Sequence, residues 1–256
     1  LFFLAYPDHY TWHSRSVLRR GLELARRHAQ LVMCPSKSTM AACRDAGIGS
    51  ERLREVPWGV HIRPVDPEHV EQIRRRYGLR RPFILFCGTV EPRKNLPRVL
   101  EAFRALDRPD LELVLVGPSG WKEDLHSDPA SLGERVRRLG FVPREDLDAV
   151  YASAAVVVYP SLGEGFGLPV LEAMAQGVPV VTSVGTATEE VAGDAALLVD
   201  PTDTDAIAAA MQRLLDDSDL SARLGKAARE RAATYSWARS AELTAAVYAE
   251  AAASHP

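Results

Sequence analysis

Six short apolar runs, separated by amphipathic stretches, fill the chain from Phe83 to Val199. They are Phe83–Cys87, Leu111–Val116, Phe141–Val142, Ala155–Tyr159, Val178–Thr182 and Ala196–Val199. Most are apolar at every position and not at alternate ones, the pattern of strands covered on both faces. The stretches between them read as helices near Leu96–Leu106, Leu132–Leu139, Glu145–Ala152, Pro169–Gln176 and Glu189–Ala192. This alternation predicts an α/β fold built on a doubly wound parallel sheet with right-handed crossovers. Sheets of that kind bind ligands beyond the carboxyl ends of their strands. After Pro201 only helical patterns follow, at Asp205–Leu215, Leu220–Thr234 and Trp237–Ala253, with Asp203 and Ser236 as N-caps.

The first 60 residues hold about two further units. A helix near Ser16–His28 precedes a strand at Gln30–Cys34, a helix from Ser36 to about Ala46, and a short strand at Arg54–Val56. That is too little sheet for an independent domain, so the expectation is the tail of a preceding α/β domain. Residues 61–80 read as a polar connector, 81–236 as the ligand-binding domain, and 237–256 as a helix returning toward the first part.

Composition is that of a globular chain, at 46% hydrophobic and 25% charged. No apolar run reaches the roughly 18–20 residues of a membrane helix. Three scattered cysteines imply neither a disulfide framework nor a metal site, and a reducing compartment is the default. Charge is divided: residues 1–104 carry 19 Lys and Arg against 10 Asp and Glu, and the remainder carries 12 against 24. Solvated helix faces account for the basic part most simply, with contact to an anionic membrane surface as the alternative. Aromatic and basic residues are not interleaved, so a nucleic-acid partner is not expected.

The chemistry concentrates in loops that follow strands. In Glu164-Gly-Phe-Gly-Leu-Pro-Val-Leu-Glu172, two carboxylates flank Gly165 and Gly167, and Pro169 stands where a helix starts. Glycines there let a ligand touch backbone, Pro suits the first helical turn, and the helix N-terminus favours an anion. Glu172 then has the position of an acceptor for ribose hydroxyls, and Glu164 for sugar hydroxyls. The second loop, Gly88-Thr-Val-Glu-Pro-Arg93-Lys94-Asn95, offers two cations for a diphosphate. Trp121, in the loop Gly117-Pro-Ser-Gly-Trp121, is a pocket wall or a packing residue, and Val142 ends a strand whose backbone can read a base edge. The sequence contains no phosphate-binding Gly-x-x-x-x-Gly-Lys-Ser/Thr motif and no Gly-x-Ser-x-Gly elbow. Two rival readings stand beside a nucleotide-sugar enzyme: a glycoside hydrolase using Glu164 and Glu172, and a nucleotide-sugar binding module without catalysis.

Taken together, these motifs resemble the retaining glycosyltransferases of family four, which have the two-domain GT-B fold. The resemblance rests on Gly88-Thr-Val-Glu-Pro-Arg-Lys-Asn-Leu96, Val116-Gly-Pro-Ser-Gly-Trp121, the run from Tyr159 to Met174, and Gly193-Asp-Ala-Ala-Leu-Leu-Val-Asp-Pro201. Cys34-Pro-Ser36 and Val56-Pro-Trp-Gly-Val60 are similar to that family's run into the interdomain crossing. It implies a Rossmann-like donor domain plus a remnant of the N-terminal acceptor domain. It also implies transfer of a sugar, mannose from GDP-mannose as the first choice, to a glycan or glycolipid hydroxyl with retention. Glu172 would bind ribose, Glu164 the sugar on its reacting face, and Gly88, Thr89, Val142, Gly165, Phe166, Gly167 and Leu168 would complete the donor site. Arg93 and Lys94 would neutralise the leaving diphosphate without a metal ion or other cofactor. A covalent route with Glu164 as nucleophile is the lesser alternative. Many relatives place Arg where Thr89 stands, which leaves Arg93 as the second cation. Relatives also carry a His-Asp pair just before a segment like Leu1–Leu4. The expectation is therefore a donor half that binds nucleotide-sugar weakly and transfers nothing by itself. Polysaccharide or glycolipid assembly in the cytoplasm, at the inner membrane face, would suit such an enzyme.

Overall fold

In a computed structural model of the chain, residues 1–118 and 135–253 are described. Two parallel sheets organise them. The larger has six strands: β3 (Phe83–Cys87), β4 (Glu112–Val116), β5 (Val136–Gly140), β6 (Val156–Tyr159), β7 (Val180–Ser183) and β8 (Leu197–Val199). Their spatial order is β5-β4-β3-β6-β7-β8, and every neighbouring pair is parallel. The order reverses between β3 and β6, because the chain first builds outward through β4 and β5 and then returns to start again on the other side. That reversal separates the connections following β3 and β6 and leaves a crevice at their carboxyl ends.

The four inner strands β3, β4, β6 and β7 are buried at every residue, β3 and β6 as unbroken apolar runs and β4 and β7 with Glu112, Thr182 and Ser183 among their buried residues. Covering them are α5 (Leu96–Ala105), α6 (Arg144–Ala152), α7 (Leu168–Ala175), α8 (Ala187–Ala192), α9 (Thr204–Asp216) and α10 (Ser218–Ala232). A single hydrophobic core results, with Phe83, Phe86, Phe103, Tyr151 and Tyr159 among its fully buried residues. The Asp203 and Ser236 side chains accept from the amides of Ala206 and Arg239, as N-caps do.

The third strand departs from the sequence expectation. A helix at Leu132–Leu139 and a strand at Phe141–Val142 were the reading of that stretch; the structure instead has β5 at Val136–Gly140. Residues 132–134 lie outside the described residues. The strand contains Arg137 and Arg138 and is incompletely buried. It is an edge strand, where charged side chains are tolerated and discourage pairing with another chain, so no apolar run marks it. The connector also holds more structure than its polarity suggests. Helix α4 (Pro67–Arg76) starts with Asp66, whose side chain accepts from the Glu68 amide, and with Pro67 in the first turn. It rests on α6, where the buried Asp146 carboxylate accepts from Arg76 and from the Tyr77 hydroxyl, at 3.0 and 2.7 Å.

Residues 1–60 comprise α1 (Phe2–Ala5), α2 (Trp12–His28), α3 (Lys37–Asp45) and a two-stranded parallel sheet of β1 (Val32–Cys34) and β2 (Leu53–Glu55). They keep a small core of their own around Cys34, Cys43, Ile48 and Leu53. The last helix, α11 (Trp237–Ala253), reaches back to them: Arg54 Nε donates to the Glu250 carboxylate at 2.9 Å. Gly59 lies against the start of that helix so closely that a Cβ would fall 2.1 Å from the Trp237 nitrogen. Among the described residues no helix is long and apolar enough to cross a membrane.

Helix α10 approaches the end of α7 with equally little room. A Cβ on Gly225 would stand 2.3 Å from the Gly177 carbonyl oxygen. Alanine at an exposed helix interior position is worth about 1 kcal/mol over glycine, but here backbone would have to move. We expect Gly225→Ala to lower unfolding free energy by about 1–3 kcal/mol, read from urea denaturation; unchanged or increased stability would show that the approach is looser than described.

Candidate functional site

The loop after β3 and the loop after β6 face each other across the sheet's reversal point. Following β3, Pro92–Lys94 makes one 3-10 turn, and Asn95 then takes a left-handed conformation at φ 63°. Asn95 is buried, and its side-chain amide donates to the carbonyls of Pro160, at 2.8 Å, and Pro201, at 2.6 Å. One side chain thereby ties the loops after β3, β6 and β8. Following β6, Gly167 has φ 104° and sits where a Cβ would be 2.7 Å from Thr188, so only glycine fits both the torsion and the space. Leu168 and Pro169 then open α7.

At the centre lies the Glu164 carboxylate. Its Oε2 accepts from Arg93 Nη1 at 2.6 Å. Its Oε1 accepts from Lys94 Nζ at 2.6 Å, from Tyr159 Oη at 2.9 Å and from Ser161 Oγ at 2.9 Å. Arg93 Nη2 also donates to Glu91 at 2.8 Å, and Lys94 bonds the Tyr159 hydroxyl. The Glu164 side chain is 8% exposed and that of Lys94 9%. Burial pushes the Glu164 pKa up, but the charges of Lys94 and Arg93 outweigh it and hold the carboxyl below its ordinary 4.5. Burial lowers the Lys94 ammonium, with Glu164 opposing. Burial likewise raises the Tyr159 phenol.

Glu172, on α7, belongs to a separate cluster. It pairs with Arg144 and accepts from the buried Tyr151 hydroxyl at 3.1 Å. Its side chain is 16% exposed. Tyr151 in turn neighbours Cys87 at the end of β3.

A cleft of about 840 Å³ runs between the first part of the chain and this edge of the sheet. Phe2, Tyr6, Tyr10 and Trp58 line one side, and Arg93, Lys94 and the loop from Glu164 to Pro169 the other. The structure thus brings Glu164, Arg93, Lys94, Gly165, Phe166, Gly167 and Leu168 into one site. The Phe166 side chain is itself packed, with ring centroids 5.6 Å from Trp58 and 5.8 Å from Tyr235. Gly88, Thr89, Val142 and Glu172 are not part of the cleft lining; the first three follow strand ends, and Glu172 lies within α7. Gly88 is held by a bond from its amide to Val116, at 2.8 Å, and Val142 is buried. Trp121 lies outside the described residues. Among the described residues, no group of three or more His, Cys, Asp or Glu is arranged to hold a metal ion.

Sequence reasoning missed several members. Asn95 closes the second loop with no role assigned from sequence, because its left-handed torsion is not visible there. Arg144, just after Val142 in the sequence, carries no local signal of its pairing with Glu172. Ser36 and Thr39, which donate to the Gly165 carbonyl at 2.8 and 2.9 Å, are more than 120 positions away from it and carry no local signal.

The family model described as glycosyl transferases group 1 matches residues 70–231. The chain belongs to this family. Among its relatives, it is 45% identical over 163 residues to O-antigen chain mannosyltransferase B of Escherichia coli, covering 60% of this chain and 43% of that protein. It is 35% identical over 255 residues to the MMP alpha-(1->4)-mannosyltransferase of Mycolicibacterium hassiacum, covering 94% of this chain and 60% of that one. The chain therefore spans about half the length of the curated relatives it matches. Among solved structures, Anabaena HepE in complex with UDP-glucose superposes with a TM-score of 0.84 at 22% identity, over 95% of this chain and 69% of that one. The fold is that of the GT-B glycosyltransferases, as the family motifs implied.

The buried cluster generates a pH-dependent prediction. Glu164 has a folded pKa below its ordinary 4.5, so its contribution to stability is complete above about pH 4.5 and is lost as pH falls through the lower folded value. Glu164→Gln leaves the buried Lys94 without its counter-charge and Arg93 with Glu91 alone. We expect it to lower stability at pH 7 by about 3–5 kcal/mol, with the difference from the natural chain shrinking on acidification. Urea denaturation between pH 3 and 7 checks this; a difference independent of pH would mean that the charge of Glu164 is not what stabilises the loops.

Proposed function

We propose that this chain is the donor-binding part of a retaining glycosyltransferase that moves a sugar from a nucleotide-sugar to an acceptor hydroxyl, with GDP-mannose as the donor and a glycan or glycolipid as the acceptor. The observation that carries the reading is the glycine loop at the sheet's reversal point, with Glu164 held among Arg93, Lys94, Tyr159 and Ser161. Such a loop offers bare amides and a helix N-terminus to an anion. Mannose as the sugar draws support from the two relatives named as mannosyltransferases.

On this reading the diphosphate lies over the start of α7 and against Arg93 and Lys94. Both cations keep donors for it: Arg93 has its Nε–H, and Lys94 has a third N–H beyond those to Glu164 and Tyr159. As the bond between sugar and diphosphate breaks, charge grows on the leaving oxygen, and these fixed donors stabilise it more than they stabilise the ground state. No metal ion is required in this scheme. Glu164 serves a sugar hydroxyl through Oε2, which accepts only from Arg93 and keeps a second acceptor position. A carboxylate that already accepts four hydrogen bonds and whose pKa is held low is a weak nucleophile, so the covalent route is disfavoured. The hydrolase reading needs two carboxylates flanking one bond, whereas Glu164 and Glu172 belong to separate clusters and only Glu164 lines the cleft. Glu172 meets ribose: Arg144 occupies one of its oxygens and Tyr151 the other, and each oxygen has a second acceptor position.

Calorimetry of the chain with GDP-mannose, UDP-glucose and a TDP-sugar tests the reading, and the tightest ligand names the base. Removing two charge-assisted hydrogen bonds of roughly 1.5–3 kcal/mol each weakens binding by roughly 10²–10⁴-fold. That loss is the expected result for Glu172→Ala; unchanged affinity would remove ribose from Glu172, and failure of every nucleotide-sugar to bind would overturn the function.

A further inference from the structure

We infer that Ser36 and Thr39, in the first part of the chain, are positioning residues that aim the Phe166 amide of the glycine loop into the cleft, and that Glu190 holds their helix in place. Both residues lie outside the stretch 70–231 that carries the family pattern.

The argument starts from one carbonyl. The Gly165 oxygen accepts from Ser36 Oγ at 2.8 Å and from Thr39 Oγ1 at 2.9 Å. Each hydroxyl has one proton, and the Gly165 oxygen is the nearer acceptor for that of Ser36, whose Oγ also lies 3.2 Å from Thr39 Oγ1; Ser36 Oγ meanwhile accepts from the Thr39 amide at 3.0 Å as the N-cap of α3. In a planar trans peptide the C=O and N–H point in opposite directions. Fixing the Gly165 carbonyl on α3 therefore turns the Phe166 N–H the other way. Among the described residues neither the Phe166 nor the Gly167 amide has a hydrogen-bond acceptor. A peptide that begins at glycine rotates at little steric cost, so the loop's own residues do not select this orientation. The two hydroxyls do.

Something must hold α3 for that to work. Its first-turn amides, Lys37 N and Ser38 N, donate to the Glu190 carboxylate at 2.8 and 2.6 Å. They are two of the four amides that a helix leaves unpaired at its start, and an acidic group there is favoured by the helix dipole. Glu190 is anchored in turn: Arg231 donates to the carbonyls of Glu190 and Val191, the latter at 2.6 Å, and the Tyr235 hydroxyl to that of Glu190 at 3.3 Å. A chain of contacts thus runs from α10 through Glu190 and α3 to the peptide that faces the ligand.

The ligand half of this inference rests on the nucleotide-sugar reading; the geometric half does not, and the test separates them. Without ligand, the carbonyl carbon resonance of Gly165 is followed by NMR in the full chain, in Ser36→Ala/Thr39→Val and in Thr39→Ser. The double substitution is expected to move the resonance upfield, as loss of hydrogen bonding to a carbonyl does, while resonances of the sheet core stay in place. Thr39→Ser keeps the hydroxyl and is expected to keep the resonance. A Gly165 resonance unchanged in the double variant overturns the inference, whatever binds. With GDP-mannose and UDP-glucose in calorimetry, the double variant is expected to bind the preferred nucleotide-sugar roughly 10- to 100-fold more weakly, and Thr39→Ser within about twofold of the natural chain. Equal affinity of the double variant and the natural chain overturns the positioning role. Failure of the natural chain to bind either ligand counts against the proposed function, and the carbonyl resonance then decides the positioning alone.

Discussion

The contact between Glu164 and the pair Arg93–Lys94 is the interaction on which the site depends. These residues follow different strands, β6 and β3, on the two sides of the point where the order of the sheet reverses. Backbone pairing fixes the strands but not the loops that leave them. A buried carboxylate with two cations and two hydroxyls fixes those loops, because each buried charge is costly unless all of its partners are present. Asn95 does the same with uncharged groups, and it brings in the loop after β8 as well. The crevice that topology leaves open is thereby given one shape.

Inner strands were legible in the sequence because burial on both faces favours a continuous apolar run, and β3, β4, β6 and β7 are mostly or wholly apolar. The edge strand β5 was not, since an edge tolerates Arg137 and Arg138 and gives no such run. Helix α4 was obscured by its composition, although Asp66-Pro67 is a helix start in retrospect. The site residues were legible where chemistry and spacing coincide, as in Arg93-Lys94 and Glu164-Gly-x-Gly. What the sequence could not supply was partnership. Nothing local links Arg144 to Glu172, or Ser36 to Gly165, because those contacts exist only once distant segments have folded together.

The site's geometry draws on more of the chain than the family pattern does. The family pattern spans 70–231, whereas one wall of the cleft and both hydroxyls on Gly165 come from residues 1–60. The first part is therefore more than a neighbour of the larger sheet. Its small core carries α3, and α3 carries the groups that reach the loop.

Within the cluster, Arg93 and Lys94 are matched by Glu91 and Glu164, so these four side chains carry no net charge together. A site with unbalanced cations draws an anionic ligand from a distance and loses that attraction as salt is added. This one exerts its pull only at contact, through oriented N–H groups. Any salt dependence in the rate at which a doubly charged ligand finds the cleft should consequently come from the basic residues around it, 19 Lys and Arg against 10 Asp and Glu in residues 1–104, and not from this cluster, and the discrimination between ligands should appear in how slowly the right one leaves.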